Sequence, residues 1–191
     1  MKEKSRAFEQ ERPYAPGAGG LSPQEMREFL ASEDSIWLMK LACLDDKGWP
    51  YIVPIWYQWN GEAFYAVGRK YNLWVKYLKA DPHCAICVEE LAVPPKGGNR
   101  KVTAQCLAEV IDGPCVAEGS KWLPVANEMA VRYLGPNGVE LLAPSHGWER
   151  YLVKMTPIDG GLKTWQGADW HARYFEPGQR PDLEQNRRAP G

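Results

Sequence analysis

Apolar positions first fall into a helical rhythm at "SPQEMREFLASE", where Met26, Phe29 and Leu30 form one stripe. Ser22 as N-cap, Pro23 at the first helical position and Glu25 at the third make a capping-box start. The rhythm then changes to that of strands. "SIWLMKLACL" reads as a strand, "DDKG" as a turn and "WPYIVPIWYQW" as a second strand pairing back on the first. Asn60-Gly61, a two-residue hairpin signal, leads into "EAFYAVG", so three successive strands are expected to form a meander. "YNLWVKYLKADP" places Leu73, Trp74, Tyr77 and Leu78 at helical spacing and is stopped by Asp81-Pro82.

"HCAICVEE" gives a fourth strand, "LAVPPKGGN" a loop and "RKVTAQCLAEVID" a long fifth strand. From Val116 to Leu134 the pattern is helical, with a break expected at Pro124. "RYLVKMTPIDGGLKTW" supplies a last strand or pair of strands. About six antiparallel strands, a few short helices and no strand-helix-strand series predict a mostly β (α+β) fold, a small six-stranded barrel with short flanking helices. Residues 1–20, polar and then rich in Gly and Pro, read as a flexible arm, 21–176 as the domain, and the charged segment 177–191 as a disordered tail.

The chain has 191 residues, which suits one domain, and a formal net charge of -1 with no broad basic field, which disfavours nucleic acid as the main ligand. No window approaches the roughly 20 apolar residues of a membrane span, and the polar start lacks a signal-peptide core. A cytoplasmic protein is expected. Five cysteines, an odd number, argue for reduced thiols. Nine Trp and nine Tyr supply many large flat side chains, which serve either to fill a core or to stack on a planar ligand.

Two basic pairs stand at strand ends: Arg69 and Lys70 in "GRKYNLW", and Arg100 and Lys101 in "GNRKVT". The first pair precedes a helix N-terminus, where free N–H groups and the helix dipole favour an anion. If the two strand ends meet at one rim, four cations converge with no run of acids to balance them, and a phosphate suits such a cluster. The alternative is separate, solvated cations at two strand ends.

The ordered string "DDKGWPYIVPIWY", "NGEAFY", "GRK", "LKADP" and "RKV", with a second patch at "TWQGADWHARY", resembles the pyridoxamine 5'-phosphate oxidase-like family of FMN-binding split β-barrels. The main match runs over about residues 36–112. The resemblance implies a homodimer with two flavin sites at the subunit interface. It implies that the flavin ring lies along Val53, Pro54, Ile55 and Trp56, and that Arg69, Lys70, Arg100 and Lys101 hold the cofactor phosphate. In the family a C-terminal segment can cover the flavin, for which Trp165, Gln166 and Trp170 are candidates, the alternative being a structural strap; His171 near them is either a proton donor or a solvated surface histidine. Many relatives carry Ser and, two residues later, Lys where this chain has Asn72 and Trp74. Asn72 can replace the serine as a hydrogen-bonding or capping group, but Trp74 carries no charge. A deazaflavin cofactor or haem therefore stands beside FMN as an alternative.

The activity implied is two-electron (hydride) transfer between NADH or NADPH and a small planar acceptor through FMN, with no obligate catalytic side chain. Other readings are a deazaflavin-dependent reductase and a non-catalytic flavin or haem carrier. Trp56, Trp59 and Tyr65 either line the pocket or simply pack. Cys84 and Cys87 spell Cys-x-x-Cys, but residues three apart on a strand face opposite sides, which favours core thiols over a metal or redox pair. His83 and His146 have no partner at metal-ligand spacing.

Overall fold

The computed structural model describes residues 20–32, 37–90 and 100–165. The N-terminal arm, the loop after residue 90, Gln166, Trp170, His171 and the C-terminal tail lie outside the described residues. Among those described, no helix is long and apolar enough to cross a membrane.

The chain begins with α1 (Pro23–Ala31), which the capping box starts as expected: Glu25 N–H donates to Ser22 Oγ, and Ser22 N–H donates to the Glu25 carboxylate. Strands β1 (Met39–Leu44), β2 (Pro50–Ile55), β3 (Gln58–Trp59) and β4 (Phe64–Arg69) follow, then α2 (Leu73–Ala80), β5 (His83–Glu90) and β6 (Arg100–Cys115). Helices α3 (Trp122–Leu134) and α4 (Gly138–Leu142), a single 3-10 turn and β7 (Arg150–Trp165) complete it. All pairings are antiparallel, in the order β2-β1-β5-β6-β7-β4-β3.

The expected second strand is divided in two. β2 pairs with β1 at one edge of the sheet, whereas β3 pairs with β4 at the other. Trp56 and Tyr57 carry the chain across, so the meander is interrupted and the sheet has seven strands. The loop after β3 also differs from a two-residue turn. Its last strand pair is Trp59 with Phe64, and the Asn60 side chain closes the four residues between by accepting from Glu62 N–H and Ala63 N–H.

Strand alternation sorts the side chains. Phe64, Ala66 and Gly68 of β4 face the barrel core with Phe29, Leu41, Val88 and Met155, while Tyr65 and Val67 point outward to a second cluster with Trp122, Ala126 and Leu152. That second cluster holds α3 against β4 and β7. Pro124 does not break α3, because it is the third residue of the helix, where its missing N–H has no carbonyl to meet. Asp112 at the end of β6 caps the helix from outside, its carboxylate accepting from Lys121 N–H and Trp122 N–H.

Tyr57 ties these layers together. Fully buried, its hydroxyl donates to Leu30 O at 3.0 Å and accepts from Arg132 Nη2 at 3.0 Å, linking α1, the crossing segment and α3. Burial raises the phenol pKa, and the Arg132 charge opposes that rise. Tyr57→Phe leaves a buried carbonyl and a guanidinium hydrogen without this partner. It is expected to cost about 1–3 kcal/mol, read as a lower denaturant midpoint at constant slope.

Candidate functional site

β2 and β4 belong to opposite arms of the sheet order, and a cavity of about 630 Å³ lies where they come together. Val53, Pro54, Ile55 and Trp56 form one wall. Val67, Arg69 and Asn72 of the β4 to α2 passage form another, with Trp74, and Arg150 enters from β7. Helices α3 and α4 cover it with Ala126, Met129, Leu134, Leu141 and Leu142, and Pro144, Ser145 and Trp148 close the remaining side. Trp56 is held by stacking on Tyr133 of α3, with ring centres 5.0 Å apart and planes 5° from parallel.

The cavity is apolar over most of its wall and cationic at one end. Arg69 and Arg150 occupy directly opposed positions of the β4–β7 ladder. No carboxylate pairs with either among the described residues. The Arg69 guanidinium lies 4.7 Å and that of Arg150 5.9 Å from the Trp148 ring centre. Arg150 is 8 % exposed, and burial, then the Arg69 charge, push its pKa below the ordinary range. Asn72 shapes the same corner. Its side-chain carbonyl accepts from Arg69 N–H, so it folds the turn instead of capping α2.

Gly68 explains Trp74. A Cβ at Gly68 would lie 2.4 Å from Val75 Cγ2 and 2.7 Å from the Trp74 ring, so the bare backbone of β4 is what admits the indole. Trp74 is thereby buried in the barrel core as well as lining the cavity.

Six of the residues expected from sequence share the cavity: Val53, Pro54, Ile55, Trp56, Arg69 and Asn72. Lys70 is turned to Glu149, at 2.6 Å. Arg100 and Lys101 do not join Arg69 within one chain. β7 separates them, since its Arg150 end pairs with Arg69 and its Trp165 end pairs with Lys101. They also have acids to balance them. Arg100 pairs with Glu90 and lies over the Phe29 ring, and Lys101 pairs with Glu89 at 3.4 Å. Trp165 stands with them at that far end.

Trp59 is core packing, and Tyr65 belongs to the cluster beneath α3. Cys84 faces the core opposite Cys106, whereas Cys87 lies on the other face. Their thiols are raised, Cys84 by its contact with Cys106 and then by burial, Cys87 by burial. No cluster of metal-ligating side chains occurs among the described residues. Arg150, Ser145 and Trp148 were not expected. The signal was "HGWER", an aromatic and a cation at a strand start, which mirrors "GRK" at a strand end.

No protein-family model and no curated protein matches the chain. Solved structures do. A conserved hypothetical protein of Mycobacterium tuberculosis superposes with a TM-score of 0.61 at 17% identity, over 86% of this chain and 94% of the other. The fold is the α+β split barrel. The FAD- and haem-binding protein of Mycobacterium smegmatis matches at TM-score 0.56 and 17% identity, over 91% and 80% of the two chains. An F420 reductase matches at 0.53 and 21% identity, over 71% and 94%. Of these neighbours, one is named for binding FAD and haem and another as a reductase of F420.

Proposed function

We propose that the cavity holds FMN and that the protein is an FMN-dependent oxidoreductase. The observation that carries this reading is one cavity with an apolar wall at Val53–Trp56 and two opposed guanidiniums that have no carboxylate partner among the described residues. The residues fit the group. Arg69 and the first turn of α2 suit a phosphate, and the β2 wall with its exposed backbone edge suits the polar rim of a flavin ring. FMN would supply hydride transfer between NADH or NADPH and a small planar acceptor. The chain's own part is to orient the ring along β2, to exclude water with the α3–α4 cover and to hold the phosphate.

The protein acts in this reading as a homodimer. Arg100 and Lys101 lie at the far end of β7, so only a second copy can bring them to a cavity. The neighbours named for F420 and haem keep a deazaflavin reductase or a haem carrier as the second reading.

The test is an absorption titration of the protein with FMN, the deazaflavin cofactor and haem, followed by assay of NADH and NADPH oxidation. Saturable FMN uptake is expected, and Arg69→Ala is expected to weaken it by roughly 1.5–3 kcal/mol. Uptake of haem or deazaflavin in place of FMN overturns the assignment. Arg100→Ala, measured alongside, reads the second subunit: a matching loss is expected from a shared site, and unchanged affinity removes Arg100 from it.

A further inference from the structure

We propose that Arg150 is a specificity-determining residue that makes the cavity select a ligand ending in a phosphate monoester dianion, with Arg69 taking one negative charge and Arg150 the second. This rests on the reading of the cavity as a cofactor site. The two arginines are cross-strand partners, a placement in which like charges destabilise a sheet unless something neutral or negative intervenes. Arg150 is the buried member. Its Nη2 donates to Ser145 Oγ at 2.6 Å, and its Nε is buried with no hydrogen-bond partner. Its guanidinium rests 5.3 Å from the centre of the Trp122 ring, itself fully buried.

Arg150 lines the cavity beside Arg69, neither has a carboxylate partner among the described residues, and an anion at this end of the cavity would offset the two opposed charges. The nearby carboxylate, Glu149, is engaged by Lys70. Two guanidinium charges on adjacent strands exceed what a single negative charge offsets. A phosphodiester has lost one charged oxygen to its second ester bond and so presents less to them. A monoester carries close to two charges at neutral pH and matches both guanidiniums in charge.

The experiment compares three ligands with one ring system: FMN, its methyl phosphodiester and riboflavin. Each is titrated by fluorescence against wild type, Arg150→Gln and Arg150→Lys. Wild type should bind FMN about 10- to 100-fold more tightly than the diester, the factor expected of a hydrogen bond to a charged group. Arg150→Gln should bring FMN down to the level of the diester and leave riboflavin unchanged, and Arg150→Lys should restore part of the difference.

Equal losses for all three ligands in Arg150→Gln, or no loss, overturn the proposal while leaving FMN binding intact. Tighter binding of the diester, or of the deazaflavin cofactor, by wild type also overturns it. If wild type binds none of the three flavins, the cofactor reading fails, and thermal stabilisation by inorganic phosphate decides the anion site. Stabilisation of wild type that is lost in Arg150→Gln supports it, and no stabilisation of wild type ends it.

Discussion

Trp122→Ala is expected to cost about 3–5 kcal/mol of folding free energy, the range for removing a large buried aromatic. Trp122 is fully buried at the start of α3, packed with Ala117, Ala126 and Leu152. Its indole Nε1 donates to Cys115 O at 3.0 Å, so truncation also strips a strand carbonyl of its partner. The loss has a local meaning beyond stability. The Arg150 guanidinium lies over this ring, and α3 supplies Ala126 and Met129 to the cavity cover. Guanidinium denaturation measures the cost, and Trp122→Phe, which keeps most of the volume, should recover more than half of it. A loss below about 1 kcal/mol in the alanine variant would show that α3 is not anchored here.

Gly113→Ala should be nearly as damaging, although Gly113 is exposed. Its φ of +92° is a region that side chains rarely enter, and a Cβ there would lie 2.1 Å from the Arg150 carbonyl oxygen. The obstacle is backbone, which cannot rotate away as a side chain can. Left-handed strain of about 1–2 kcal/mol and overpacking of about 1–3 kcal/mol together give a cost of about 2–5 kcal/mol. The variant must either unfold more readily or displace the start of β7. Thermal melting reads the first and, on the proposed cofactor reading, FMN affinity the second, because Arg150 heads that strand. A variant unchanged in both would refute the close approach.

Much of this fold can be read from local chemistry. Ser22 and Glu25 announce α1 because both halves of a capping box lie within four residues. The alternation from Phe64 to Arg69 shows which side chains of β4 face inward, since a strand's two faces are written in its own period. The crossing at Trp56 and Tyr57 is different in kind. It falls inside an unbroken apolar run, so nothing local marks where one strand ends and its continuation joins the opposite edge. Pro124 misleads for a related reason: its effect depends on where the helix starts, and that is set by Asp112, ten residues before Trp122.

The same division holds for the site. Arg69 and the β2 wall are legible because they border recognisable elements. Arg150 is marked only by "HGWER" at a strand start, and its place opposite Arg69 is a fact of register across 81 residues of chain. Glu89 and Glu90 stand in plain view in the sequence, yet only the β5–β6 hairpin puts them across from Arg100 and Lys101.

The seam between β2 and β3 also bears on the order in which the molecule can assemble. β1 with β2, and β3 with β4, pair over short loops and can form early. β4 with β7 joins residues as far apart as Phe64 and Met155, a closure whose entropy must be met before its contacts repay it. The cavity needs β2, β4, β7 and the α3–α4 cover together, so it exists only after that last closure. Uptake of the proposed cofactor during refolding should consequently lag behind the appearance of β-sheet signal, and the cavity would then report finished molecules rather than template folding ones.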